Sequence, residues 1–368
     1  MTIRIPYGRQ TIDDSDVDAV TEVLRSDWLT QGPKVAEFEK ALADYCGARF
    51  AVTYANGTLA LQGAYHAAGL GPGDEFVTSP ITFAATATAG LWQGAAPVFA
   101  DIDPADGNLD AAAAAAAITP RTKALVPVHY AGQPVDLGVF RKLASERGLV
   151  LIEDACHALG ASWDGRKIGS IGDMTVFSFH PVKSITTGEG GAVLTNDPAF
   201  HEKLVSFRQH GIVRGADWEY AVEDKAVNSR LTDLQCALGV SQLRRLDDFI
   251  AARQRLADRY EQAFRGWKSL TPLRRGRGRS SWHLFVVKLA SAPRREVFQK
   301  LRDRGIGAQV HYIPVYRHPF YERLGYKKGL CPKSEEFYER ILSLPLYPTL
   351  SDAQQDEVVT ALKEIVGT

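Results

Sequence analysis

Lys183 follows the apolar run FSFHPV (177–182) and precedes the glycine-containing stretch SITTGEGG (184–191). A lysine in bulk water is protonated and is a poor nucleophile. Desolvation or a nearby positive charge lowers its pKa and makes it a former of Schiff bases. Upstream, LVLIEDACHALG (149–160) ends an apolar run on Glu153 and Asp154. In open α/β sheets the carboxyl ends of strands are where ligands sit. A carboxylate there can ligate a metal, orient a base, pair with a cationic ring nitrogen, or simply cap the next helix.

Asp154 lies 29 residues before Lys183 and ends a different apolar run. A lysine and a carboxylate at neighbouring strand ends meet two needs of pyridoxal 5'-phosphate (PLP): an amine for its aldehyde, and an acidic partner for its pyridinium nitrogen. The cofactor also needs a phosphate cradle. FAVTYANGTLALQGAYHAAG (50–69) reads as strand, turn and helix, with Asn56, Gly57 and Thr58 at the turn. A helix N-terminus with free N–H groups, a small residue and a hydroxyl is an anion site. The same pattern with Thr58 as an ordinary N-cap is common. Ser178 offers a second hydroxyl. Phe83, in TSPITFAATATAG (78–90), follows another strand end and offers a face for a flat ring or a place in a core.

The elements that must position these residues are legible as patterns. The runs FAVTY (50–54), EFVTS (75–79), PVFADI (97–102), KALVPV (123–128), LVLIED (149–154), TVFSF (175–179) and AVLTN (192–196) alternate with helical stretches. That order predicts an α/β fold with a mostly parallel sheet covered by helices. Asp13-Asp14-Ser15 ahead of Val17, Val20 and Leu24 predicts a capped helix start. Phe38, Ala41, Leu42 and Tyr45 predict a second amphipathic helix. A long helical stretch runs from Leu231 to Phe264. Beyond it lie the basic loop RRGRGRSS (274–281), a strand in WHLFVVKL (282–289) and a helix in PRREVFQKLRDRG (293–305). The tandem arginines fit a solvated loop better than a phosphate site.

At 368 residues the chain exceeds the size of most single cores. We expect a cofactor-binding α/β domain over residues 1–245, whose N-terminal segment packs on the other domain, and a smaller α+β domain over 246–368. Forty-three basic residues balance forty-three acidic ones. This leaves no electrostatic footprint for nucleic acid or an anionic membrane. No stretch is long and apolar enough to span a bilayer. Cys46, Cys156, Cys236 and Cys331 lack metal-site or disulfide spacing, so we expect no metal and a cytoplasmic setting.

ANGTLAL, SPITFAATA, EDACHALG, FSFHPVKSITTGEGGAVLTND, HGIVR and NSRLTDLQCALG resemble, in this order, the motifs of the DegT/DnrJ/StrS family of nucleotide-sugar aminotransferases. These are PLP enzymes of fold type I, the aspartate aminotransferase-like fold with a seven-stranded sheet. The resemblance runs from YGRQTID (7–13) to QVHYIPVY (309–316). HPVKSITTGEGG and AQVHYIPVYRHPFYERLGY are most similar to the branch that serves pseudaminic acid synthesis. That branch aminates C4 of a UDP-linked 2-acetamido-2,6-dideoxy-4-ketohexose, with L-glutamate as donor and 2-oxoglutarate as by-product.

The resemblance implies roles. Lys183 holds the cofactor and then moves protons, with the cofactor alternating between PLP and its aminated form, pyridoxamine phosphate (PMP). Asp154 faces the ring nitrogen. Gly57, Thr58 and Ser178 bind the phosphate, and Phe83 stacks on the ring. Many members place glutamine three residues after the aspartate, bonded to the ring's 3-oxygen; here His157 stands there and donates the same bond. Asn228 reaches the partner subunit's cofactor across a homodimer interface. Trp28 and Thr30 belong to a WLTxG turn near the sugar. Tyr7, His180, His311, Tyr312 and Tyr316 surround the nucleotide sugar. Arg230 meets a carboxylate, a diphosphate or an interface acid.

Two other readings compete. A family dehydratase carries histidine in place of the lysine, which Lys183 argues against. A non-catalytic PLP-binding regulator would need an interaction module, and no helix-turn-helix or basic patch is appended.

Overall fold

The computed structural model describes residues 2–368. Asp13 caps α1 (Asp14–Leu24) in a capping box: its carboxylate accepts from the Asp16 N–H, and Asp16 returns the bond to the Asp13 N–H. α2 (Pro33–Cys46) buries Phe38 and Leu42 and ends on Gly47, whose φ of 70° is the left-handed conformation that closes a helix.

Seven strands follow: β1 (Phe50–Tyr54), β2 (Glu75–Thr78), β3 (Ala96–Phe99), β4 (Thr122–Val126), β5 (Val150–Asp154), β6 (Met174–Ser178) and β7 (Gly191–Thr195). They form one sheet in the order β1-β7-β6-β5-β4-β2-β3. Every pairing is parallel except those of β7, which runs antiparallel to β1 and β6. The expected α/β architecture and mostly parallel seven-stranded sheet are borne out.

Both faces of the sheet are covered, so its strands are nearly continuous in apolar residues. Successive side chains point to opposite faces. Thus Phe177 and Leu194 join Phe38 and Leu42 in one core. Val176 and Val193 join Val52 and Tyr65 in the other. The helices that matter for the site are α3 (Gly57–Ala67), which leaves β1, and α4 (Ala85–Gln93), which leaves β2.

The helical stretch read as one over Leu231–Phe264 is two helices, α5 (Asp233–Arg244) and α6 (Leu246–Ala263). They part at Arg245, and the start of α6 stays in the core of α5 through Leu246, Phe249 and Ile250 before the helix crosses to another. α5 packs on α2, with Gly239 so close to Phe38 that an added Cβ would lie 2.5 Å from its ring. α6 sends Leu256 and Tyr260 into a second core. Arg245 itself forms ion pairs with Asp13 and Asp16.

The second core surrounds an antiparallel sheet, β8 (Leu270–Pro272), β9 (Phe285–Leu289) and β10 (Ile341–Leu344), in that order. The N-terminal segment belongs to it. Ile5 is buried there, bridges Ile306 in parallel, and accepts from the Gly307 N–H at 2.7 Å. The arginine loop is tied to carboxylates. Arg274 pairs with Asp103 and Asp106, and Arg275 with Glu261 and Asp258, so these guanidiniums are not left free for phosphate. The four cysteines are unpaired, and among the described residues no helix is long and apolar enough to cross a membrane.

The WLTQG turn (28–32) is held by a buried carboxylate. Asp233 accepts from the Gly32 N–H at 2.8 Å and the Lys34 N–H at 2.9 Å. Asp233→Ala leaves two donors without their acceptor and should destabilise the fold by about 1–3 kcal/mol. A thermal unfolding midpoint equal to wild type would contradict that assignment.

Candidate active site

Five strands (β1, β2, β4, β5 and β6) deliver their carboxyl ends to one edge of the sheet, where a cavity of about 610 Å³ opens. That volume is in the range of small-molecule sites, ~300–1,000 Å³. Asp154, the last residue of β5, lies on its wall and is buried. Its Oδ2 accepts from Thr86 Oγ1 at 2.6 Å and its Oδ1 from the Cys156 N–H at 3.2 Å. Thr86 has a single hydroxyl proton, and an ionised carboxylate can only accept, so that proton goes to Asp154. The Thr82 hydroxyl, 2.7 Å from Thr86 Oγ1, must then be the donor in that pair. A chain of two threonines thus fixes the carboxylate.

Glu153 points to the opposite face of β5 and is sealed from solvent. It accepts from Thr175 Oγ1 at 3.0 Å and from the Gly172 N–H, and it pairs with His129 Nε2 at 2.7 Å. His129 Nδ1 accepts from the Val135 N–H at 3.2 Å, which places the ring proton on Nε2. The backbone adds bonds from the His129 N–H to the Asp154 carbonyl and from the Asp154 N–H to the Pro127 carbonyl. The ends of β4 and β5 are therefore clamped behind Asp154.

Lys183 lies in the short connection from β6 to β7, its N–H bonded to the His180 carbonyl at 2.8 Å. Burial pushes its pKa below the usual lysine value, against smaller opposite pulls from Cys156 and Asp154. A larger fraction of the amine is therefore unprotonated near neutrality, as a nucleophile and proton carrier requires. Three histidines share the wall. Burial first, then Lys183 and His311, drive His157 well below the ordinary imidazole range. Burial, His157 and Lys183 do the same to His283, and burial followed by Lys183 brings His311 to about 3. All three are neutral hydrogen-bonding rings around the amine.

The N-terminus of α3 faces the same cavity. Asn56, not Thr58, is the N-cap; its Oδ1 accepts from the Leu59 N–H at 2.9 Å. The Thr58 hydroxyl is therefore not used as the cap. A Cβ on Gly57 would lie 3.0 Å from Ser178 Cβ and 3.2 Å from its Oγ. The absent side chain lets the first turn of α3 and the Ser178 hydroxyl approach one another, a cradle for an anion at a helix N-terminus.

These features fit PLP. Gly57, Thr58 and Ser178 would hold its phosphate, Asp154 its ring nitrogen and Lys183 its reactive carbon. Phe83 is no core residue: it is 62% exposed and lines the cavity, with its ring 6.3 Å from that of Tyr312. It is available to cover a flat ring. When bound, PLP supplies the electron sink that lets a proton leave the carbon beside the transferred nitrogen.

Residues 10–363 match the DegT/DnrJ/EryC1/StrS aminotransferase family. The chain belongs to this family. It is 44% identical to the spore coat polysaccharide biosynthesis protein SpsC of Bacillus subtilis, covering 98% of this chain and 97% of that one. It is 38% identical to the UDP-4-amino-4,6-dideoxy-N-acetyl-beta-L-altrosamine transaminase of Campylobacter jejuni, over 98% of both. Among solved structures, Helicobacter pylori PseC, an aminotransferase involved in pseudoaminic acid biosynthesis, superposes with a TM-score of 0.94 at 35% identity, covering 98% and 99% of the two chains. The Streptococcus pneumoniae protein Spr1654 in its PLP form gives 0.94 at 31% identity, with 98% of each chain covered. The protein is thus a PLP-dependent enzyme with the fold of its family.

Tyr7, His180, His311 and Tyr312 line the cavity beside the cofactor residues. Tyr316 does not. It is fully buried among Phe99, Tyr321 and Cys331, and its hydroxyl bonds Glu335 at 2.7 Å, so the expected sugar contact is a core tyrosine. Trp28, Thr30 and Asn228 are exposed and Arg230 half-buried, and all four lie outside the cavity wall of the single chain. Thr82, Thr86, Glu189 and His283 were not anticipated. The threonines were hinted at by ITFAATATAG, where Thr86 follows Phe83 by one helical turn. His283 carried no signal, because its strand reads as ordinary core.

Lys183→Ala should keep the fold and lower the transamination rate by more than ~10²-fold, the usual scale for a positioned proton carrier. Borohydride reduction followed by peptide mass spectrometry should attach the cofactor to wild type at residue 183 and leave the variant unlabelled. Attachment at another lysine would refute the assignment. Gly57→Ala should weaken cofactor retention on dialysis, because the new Cβ crowds Ser178. Equal retention would show that the cradle is not used.

Proposed function

We propose that the chain moves an amino group from L-glutamate to C4 of a UDP-linked 2-acetamido-2,6-dideoxy-4-ketohexose, as in pseudaminic acid-type pathways. The observation that carries this reading is the extent of the cavity. It runs from Gly57, Asp154 and Lys183 past Phe83 to Tyr7, His311 and Tyr312, so polar-tipped rings continue the wall beyond the cofactor residues. Such rings suit a hexose and a pyrimidine, which need both apolar contact and hydrogen bonds. The name of the Campylobacter relative supports the choice of sugar.

In this reading Lys183 takes the proton from the donor's α-carbon in one half of the cycle and returns a proton to the sugar carbon in the other. Asp154, pinned by Thr86, keeps the ring nitrogen charged. His157 stands on the wall beside Asp154. Residues 1–245 hold the cofactor. Residues 246–368 bring His311 and Tyr312 to the substrate, and the N-terminal segment brings Tyr7. A homodimer completes the site. Asn228 is exposed beside the hairpin that joins Ile212–Arg214 to Tyr220–Val222, where Trp218, Tyr220 and Val222 present apolar side chains to solvent. Trp28, Thr30 and Arg230 act in that assembly. The free cysteines agree with a cytoplasmic setting.

A second reading, another keto nucleotide sugar aminated at C3 or C4, is favoured by the 44% identity to a spore coat polysaccharide protein. The PMP form, given UDP- and dTDP-linked 4-ketohexoses separately, distinguishes the two. We expect the UDP-linked 2-acetamido sugar to yield an amino sugar by mass spectrometry, with NMR placing nitrogen at C4. Amination of the dTDP sugar alone, or at C3, would replace the first reading by the second.

A further inference from the structure

His157 Nε2 and the Tyr312 hydroxyl lie 3.0 Å apart. His157 comes from the end of β5. Tyr312 comes from the far side of the cavity, on the segment between Ile306 and Val315 that borders the second core. The direction of their hydrogen bond follows from the rest of the imidazole. His157 Nδ1 is sealed from solvent and meets no protein partner, with the ring packed 4.3 Å from that of His283. A neutral imidazole carries one proton, and a buried donor without an acceptor is rarer than a buried acceptor without a donor. The proton therefore sits on Nε2 and points at Tyr312. The phenol accepts, and its own proton is left unspent.

That proton has a place to go. Burial, with Tyr130, Tyr7 and Asp154 adding to it, holds the Tyr312 pKa well above that of a free phenol, so the group is a donor and not a base. Its ring lies beside Phe83, next to the position of the cofactor ring. Four other hydroxyls of the wall have tasks elsewhere, with Thr58 and Ser178 at the phosphate cradle. Thr86 donates to Asp154 and Thr82 to Thr86, while Ser178 crowds Gly57 in the phosphate cradle. Lys183 has to accept protons during the reaction. Tyr7 also lines the cavity, but its ring packs on His311 at 5.3 Å, whereas that of Tyr312 faces Phe83. A ketone attacked by an amine develops negative charge on its oxygen, and a donor aimed there lowers the barrier.

We propose that the Tyr312 hydroxyl, oriented by His157, is the hydrogen-bond donor to the carbonyl oxygen of the keto substrate. The assignment deepens the sugar aminotransferase reading and rests on it. Tyr312 is then the catalytic residue that polarises the carbonyl. His157 is a positioning residue, and because its one proton is spent on Tyr312 it does not make the bond to the ring's 3-oxygen that the resemblance implied.

The PLP form of the holoenzyme tests this directly, since it carries no amine to transfer and binds the keto sugar without turnover. The probe is the UDP-linked 4-ketohexose labelled with ¹³C at C4, read by infrared difference spectroscopy, with affinity measured by calorimetry. The carbonyl band should lie lower in wild type than in Tyr312→Phe, and kcat of that variant should fall by about 10²–10³-fold. Coincident bands with both proteins binding would overturn the role of Tyr312 and leave the sugar reading standing. Failure of wild type to bind any nucleotide keto sugar would overturn both. Should Tyr312→Phe not bind, 3-fluorotyrosine at position 312, a stronger donor, must shift the band further down. An unmoved band there also refutes the inference.

Discussion

The constraint on which the site depends is the common direction of six strands. Because β1, β2, β4, β5 and β6 are mutually parallel, each must end at the same edge. Residues from positions 56 to 183 are thereby gathered around one cavity. The sheet's single reversal serves the same end. β7 starts at that edge as soon as β6 has finished, and Lys183 occupies the short connection between them. Gly191 then passes so near the turn after β1 that a Cβ would lie 2.7 Å from the Asn56 carbonyl. The buried Glu153–His129 pair ties β4 to β5 one residue behind Asp154. Breaking one partner of such a pair is costly, so this edge is rigid where the cofactor needs it.

The electrostatics follow from burial more than from charge pairs. Lys183 is kept partly as an amine by desolvation, and the nearby imidazoles are kept neutral by burial and by Lys183 itself. A cationic histidine beside the lysine would repel the charges the reaction must move. Neutral rings instead offer directed N–H and N acceptors. The one fixed carboxylate with a defined task, Asp154, receives bonds from Thr86 and the Cys156 N–H, which settle its orientation before any ligand arrives.

Much of this was legible in the sequence because local rules agreed with the final fold. The strand runs were continuous in β-branched and apolar residues, and those of β1, β2, β5 and β6 were followed by candidate chemistry at or just past the carboxyl end. Other features were not legible, for reasons that can be named. Tyr316 shares a motif with His311 and Tyr312, but no local pattern shows that its side chain turns toward Glu335 and the Phe99 cluster. The break at Arg245 is invisible to helix propensity, since the acids that Arg245 pairs with there, Asp13 and Asp16, are more than 200 positions away in the sequence. Thr86 acts through one hydroxyl 68 positions from its acceptor, a contact only the sheet creates. Trp28, Thr30, Asn228 and Arg230 lie outside the cavity of one chain, a placement that no local pattern signals.

The central claim is that Lys183 and Asp154 stand at adjoining strand ends in order to hold and use PLP. The most direct test is the absorbance spectrum of the purified enzyme, before and after addition of L-glutamate. The account predicts a visible band from lysine-bound cofactor that is lost to a near-ultraviolet band when glutamate is added, with release of 2-oxoglutarate. No visible band, even after PLP is supplied to correctly folded protein, would contradict it.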